Sequence, residues 1–178
     1  MIVTAKMRSL SLAIVAILGV VAMSRSAAAE VIDRVLAVVA GQLITLSDVN
    51  AARELGLQSA EGAADPVRAI LSKLIDRELI VAEVDRYAPP EPAAETIDRE
   101  TGRIRMRFPT SGAFAEALER SGADEKQLRE IVRQDLRIRA YLDQRFASAQ
   151  ERRQALMDDW LSGLRRRGDV VDLYLSGR

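Results

Sequence analysis

Arginine is the chemically versatile side chain that this chain concentrates, and histidine and cysteine are the ones it lacks. Arg99, Arg103, Arg105 and Arg107 crowd one short stretch, and Arg165, Arg166 and Arg167 are consecutive. Guanidinium groups stay charged at any accessible pH, so such runs either recruit anions or keep a protein face in water. The first group reads as the solvated face of a helix, with a basic rim to a groove as the functional alternative. The second falls at the end of a helix, where cations suit the negative pole of the helix dipole; a nucleic-acid patch is the alternative. Without His or Cys, Ser-His and Cys-His nucleophilic catalysis, thiol redox chemistry and the usual zinc sites are excluded. No GxGxxG or GxxxxGK[ST] loop is present to cradle phosphate. No cofactor is expected.

The elements that would position these residues begin after a separate N-terminal segment. Lys6 and Arg8 form a basic region, Leu10 to Met23 is an apolar run of about 14 residues, and Ala27-Ala28-Ala29 fits an A-x-A cleavage site. The run is shorter than the roughly 20 residues that span a bilayer. Residues 1–29 are therefore expected to be a cleaved signal peptide, leaving residues 30–178 as one exported domain with no stable membrane insertion. Loss of Lys6, Arg8 and Arg25 leaves 23 basic against 26 acidic residues, a net charge of −3. Such a balance gives no electrostatic reason to bind nucleic acid. With no disulfides, stability has to come from packing.

Val31 to Asn50 organises the rest. Val31 to Val39 is rich in β-branched residues and Gln42 to Thr45 is a second short apolar run, with Gly41 between them free to take positive φ, so the pair predicts a tight hairpin. A helix follows at once, with Ser47 as the expected N-cap and Asp48 on the positive end of its dipole. It runs to Leu55, where Gly56 ends it. Asp65-Pro66 starts a long helix whose Val67, Ile70, Leu71, Leu74, Ile75 and Leu79 recur at helical spacing through Val84 to Tyr87, with Asp76, Arg77 and Glu78 on the opposite side. Ala88-Pro89-Pro90-Glu91-Pro92 is a linker. A third helix over 93–106 is apolar at Ile97, Ile104 and Met106. A short helix capped by Ser111 carries Phe114, Ala117 and Leu118 to a stop at Ser121-Gly122.

Asp124 caps the next long helix, with an apolar stripe of Leu128, Ile131, Val132, Leu136, Ile138, Leu142 and Phe146 and a wet side that includes Arg133, Asp135 and Arg137. A last helix over 149–166 presents Leu156, Trp160, Leu161 and Leu164. Gly168 stops it, and Val170 to Leu175 alternates as a strand. A two-stranded hairpin is marginal in water, so that strand is its expected partner, with Trp160 and Leu164 over the sheet. The fold class is mostly α: five to six helices with a small sheet made by the N-terminal hairpin and the C-terminal strand.

Four stretches, in order, resemble the SurA-type periplasmic chaperones. IDRVLAVVAGQLITLSDV is similar to that family's opening strand, turn and capped helix, and ILSKLIDRELIVAEV to its aliphatic helix. FAEALERSGADEKQLREIVRQDLRIRAYLDQRF resembles the next short helix, glycine stop and long helix, and WLSGLRRRGDVVDLY the closing helix and strand. Larger members carry parvulin-type prolyl isomerase domains between the last two helices. Here Phe146 is followed within ten residues by Leu156, which leaves no room for one, and the histidines of a parvulin site are absent.

The resemblance implies a non-catalytic chaperone or peptide-binding module that holds unfolded or extended polypeptides, outer-membrane and secreted proteins among them. Such a protein needs an apolar groove with adaptable side chains, because its clients share hydrophobicity and not a sequence. Met106, Phe108, Phe114, Tyr141 and Phe146 are the candidate peptide-binding residues, with core packing as the competing role for each. The alternative function is a structural subunit that docks on a fixed cell-envelope partner or on a second copy of itself.

Overall fold

The computed structural model describes Asp33–Tyr174. The expected signal peptide, Val31 at the start of the predicted hairpin and Leu175 at the end of the predicted last strand lie outside the described residues. Within them are three strands and six α-helices: β1 Val35–Val39, β2 Gln42–Thr45, α1 Leu46–Glu54, α2 Pro66–Tyr87, α3 Ala94–Arg105, α4 Ser111–Ser121, α5 Glu125–Arg145, α6 Arg153–Arg167 and β3 Val170–Asp172. The chain is mostly helical, with a small antiparallel sheet built from both ends of the described region, in the order β2-β1-β3.

The hairpin turns through Ala40 at φ 49° and Gly41 at φ 82°. Two positive φ values define the type I′ turn, whose twist matches that of the flanking strands. β1 is the central strand. Val38 faces Leu43 on one side and Val171 on the other, and Leu173 adds a bond to the Leu36 carbonyl at 2.9 Å. The closing strand is shorter than the predicted alternation, because only three of its residues pair with β1.

Two hydrophobic clusters hold the body together. The first joins Leu36, Ala37, Val39 and Ile44 of the sheet to Ile70, Leu71, Ile75 and Leu79 of α2 and Leu164 of α6, with Trp160, Leu161 and Val170 packed against it. The expected cover of the sheet by α6 is therefore present. Gly168 fits here for a reason beyond helix termination: a Cβ would lie 2.5 Å from Leu79 and 2.8 Å from the Leu164 carbonyl oxygen. The second cluster gathers Leu55, Ile97, Ile104, Phe114, Ala117, Leu118, Leu128 and Val132, and Leu57 packs against both.

Several expectations need correction. The α1 cap is Thr45, not Ser47: Thr45 Oγ1 accepts from the Asp48 N–H and the Asp48 carboxylate accepts from the Thr45 N–H at 2.8 Å, a reciprocal capping box. Ser47 lies inside the first turn and donates its N–H to Asp33. Thr110, not Ser111, caps α4, accepting from Ala113 N–H at 3.1 Å. α6 begins at Arg153 behind a 3₁₀ turn at Gln150–Arg152. Asp65 with Pro66, and Asp124 with Gln127, cap α2 and α5 as expected.

The charged sides of α2 and α5 are not simply wet. Arg77 has a side chain only 15% exposed and reaches across from α2, donating to Asp135 at 3.0 Å and to Gln134 at 3.2 Å on α5. The Arg137 side chain is 11% exposed, its Nη1 donating to Asp85 of α2 at 2.8 Å. Its Nε lies 3.2 Å from Glu91 of the proline-rich linker without hydrogen-bond alignment. Arg165 of the triple-arginine run pairs with Asp76 and donates to Ser72 Oγ at 2.9 Å, tying α6 to α2.

Candidate functional site

The most developed concavity is a cleft between the β2–α1 segment and α5. Two adjoining cavities form it, of about 270 Å³ and about 1040 Å³, and both are lined by Asp48, Ala51, Ile131 and Gln134. α1 can present Asp48 and Ala51 together because they lie three residues apart on one face, with the Thr45–Asp48 box fixing the register of the first turn. α5 presents Ile131 and Gln134 at the same spacing. The smaller cavity has an apolar wall of Leu43, Ile44, Ala52, Leu57 and Leu74, with Arg77 and Asp135 closing its far side.

β2 is an outer strand of the sheet. Val39 and Gln42 flank a two-residue turn and bond to each other, so the alternation of an antiparallel ladder turns the N–H and C=O of Leu43 away from β1. Beyond it, the Thr45 N–H is engaged by Asp48 and the Leu46 N–H by the Arg34 carbonyl. The available edge is thus about one residue long. Leu43 itself is 60% exposed. An apolar side chain beside an outward amide and carbonyl can take an extended backbone by strand addition.

The larger cavity carries Asp33, Asp48, Asp124 and Glu130 against Lys126, Arg129 and Arg133. Three of these seven charges, Glu130, Arg129 and Arg133, are in ion pairs, and Asp33, Asp48 and Asp124 accept backbone N–H bonds. Arg129 pairs with Asp98, and Arg133 donates to Glu130 at 2.6 and 2.9 Å and to Glu91 at 2.7 Å. The Arg133 bonds hold the Glu130 carboxyl below its ordinary range, against the opposing effect of burial. Burial also works against ionisation of Asp33, but hydrogen bonds from Thr45 and Ser47 outweigh it and lower that carboxyl too. The cleft therefore shows no single-sign field that would select a strongly charged ligand. Among the described residues no group of three or more His, Cys, Asp or Glu side chains is placed to hold a metal ion.

The sequence-derived peptide-binding residues fall in two other places. Met106 is 77% exposed at the end of α3, off the apolar stripe expected to include it. Phe108 is half-buried and meets the buried Phe114 edge to face, with centroids 5.5 Å apart. Phe114 is 3% exposed and belongs to the second cluster. Tyr141 and Phe146 are buried around Trp160, at centroid distances of 6.1 and 5.8 Å, and Tyr87 stacks on Tyr141 at 5.3 Å. Burial pushes the Tyr141 hydroxyl up in pKa. None of the five lines the cleft.

Leu43, Ala51 and Ile131 were missed as site residues. Ile131 sits on the α5 stripe, where helical spacing reads as core, and Ala51 carries no signal. Leu43 had one: it precedes the inward-facing Ile44 on a period-2 strand, so it has to point outward. No protein-family model matches the chain, and no curated protein matches it.

Proposed function

We propose that this protein is an exported, non-catalytic chaperone or peptide-binding module that holds unfolded outer-membrane or secreted polypeptides, and that the cleft between β2 and α5 is where an extended segment lies. One observation carries the reading: an open cleft with an apolar wall runs beside a strand edge whose Leu43 amide and carbonyl face outward. Backbone bonds at Leu43 would accept any extended sequence, and the apolar wall would favour hydrophobic side chains without demanding a particular one. The pre-paired charges at the mouth fit clients that differ in charge. The four stretches similar to SurA-type chaperones support the same reading, a periplasmic location included.

Light scattering of an unfolded porin diluted into buffer tests it. Residues 30–178 at equimolar ratio should suppress the aggregation, and Leu43→Asp, an exposed substitution at the cleft edge, should lose most of that effect while melting at the same temperature. No suppression and no peptide binding by the unsubstituted protein would contradict the proposal.

A second reading, a subunit docked on one fixed partner, is favoured by a different observation. Leu43, Val38 and Val171 form one row across the sheet, and Leu43, Val171 and Leu173 are 48–60% exposed. An exposed apolar sheet face suits a permanent contact. A single tightly held partner in a pull-down, with no client binding, would favour this reading over the first.

A further inference from the structure

A cavity of about 420 Å³ sits at the turn between α5 and α6, lined by Arg145, Phe146, Ser148, Ala149, Arg152 and Leu156. It shares no residue with the cleft. Its charge is one-sided. Both cleft cavities contain carboxylates, whereas this one has two guanidinium groups and no acid among its lining residues. Among the described residues, twelve of twenty arginines form an ion pair, but neither Arg145 nor Arg152 does. Two like charges facing one space repel unless an anion stands between them.

Arg145 is also held in place. Its guanidinium lies 5.2 Å from the Trp160 ring, 5.7 Å from Phe146 and 6.0 Å from Tyr141, and Nη1 donates to the Tyr141 hydroxyl at 3.3 Å. Stacking on aromatic faces fixes the plane of the fork and leaves its other N–H groups free to donate. The Ser148 hydroxyl adds a neutral donor. Phe146, Ala149 and Leu156, the last 38% exposed, make the remaining wall apolar. Pairing a fixed guanidinium with an apolar wall selects an anion with a hydrophobic body over a bare inorganic ion.

We propose that this cavity binds a carboxylate carried on an apolar or aromatic group, with Arg145 and Arg152 holding the carboxylate and Leu156 and Ala149 contacting the body. The site does not depend on client binding in the cleft. Trp160 is the chain's one tryptophan and touches both Arg145 and Phe146, so its fluorescence reports occupancy.

The test titrates the protein with N-acetylphenylalanine, its uncharged amide and inorganic phosphate, following Trp160 fluorescence with calorimetry in parallel. The acid should bind saturably, with the amide and phosphate each weaker by about tenfold or more, the loss expected when a charged hydrogen-bond partner or the apolar contact is removed. Arg152→Ala, an exposed change away from both clusters, should weaken the acid by a similar factor, and Arg152→Lys should lose less. Any of three results overturns the proposal: no heat or fluorescence change at about 1 mM acid, already a weak affinity; equal binding of acid and amide; or phosphate binding as well as the acid. Undiminished binding by Arg152→Ala overturns the assignment of that residue and with it the two-arginine site.

Discussion

Ala40 occupies the first central position of a type I′ turn at φ 49°, where a Cβ crowds the backbone and asparagine or glycine is the preferred residue. Ala40→Asn should therefore raise stability by about 1 kcal/mol, read as a shift in urea midpoint at unchanged m-value. Phe114 and Phe108 make a second comparison. They touch, yet Phe114 is 3% exposed in the second cluster while Phe108 is half-buried at its edge. Phe114→Ala should cost about 3 to 5 kcal/mol and Phe108→Ala clearly less. Equal costs would mean that Phe108 is as much a part of the core as its partner. Residue type alone leaves both as candidates for a groove lining or for the core, because an aromatic ring serves a core and a binding surface by the same physics. Only burial separates the two.

At the scale of elements, most of the fold was legible in the sequence. Helical spacing placed α2 and α5, Asp65-Pro66 and Asp124 marked their starts, and Gly56 and Gly122 take the positive φ their stop signals implied. Two caps were misplaced because a good capping residue is not enough: Thr45 wins over Ser47 by having Asp48 three residues on to return the bond. What periodicity could not see is reach. Arg77 and Arg137 carry long stems that lie along apolar surface and bring their charges to the neighbouring helix, so they brace α2 against α5. The cleft was illegible for a related reason, since its walls come from segments far apart in sequence and its apolar floor uses positions that otherwise read as core. The start of α2 carries a pH-sensitive tie of the same long-range kind. Asp65 accepts from the Arg68 N–H and from the Tyr174 hydroxyl, the first of these chiefly lowering its carboxyl and the Tyr174 bond adding to the effect. The Tyr174 hydroxyl is in turn raised by Asp65. A carboxyl depressed in the folded state stabilises above its unfolded pKa and loses that contribution as pH falls through the folded value. Acid unfolding should thus steepen below about pH 4. Asp65→Asn, which keeps a capping oxygen but cannot titrate, should flatten that limb of the stability curve.

For the whole molecule, the sheet is what joins the two ends of the described region. β3 covers one side of β1, Asp172 pairs with Arg68, Tyr174 reaches Asp65 and Val170 packs on the first cluster. A chain ending at Arg167 keeps every helix but leaves β1 as an open edge and strips cover from the core, so it should be insoluble or melt without cooperativity. A cooperative melt within a few degrees of the longer chain would show that β3 contributes little to the fold. The functional proposal rests on the other side of the same sheet, where β2 meets the cleft. Amide hydrogen exchange at Leu43, measured by NMR with and without an extended apolar peptide, tests it most directly. The account predicts that this outward amide, fast in the free protein, slows markedly when peptide is bound. Unchanged exchange at Leu43 under conditions where the peptide is demonstrably bound would contradict strand addition at β2 and move the client site elsewhere on the molecule.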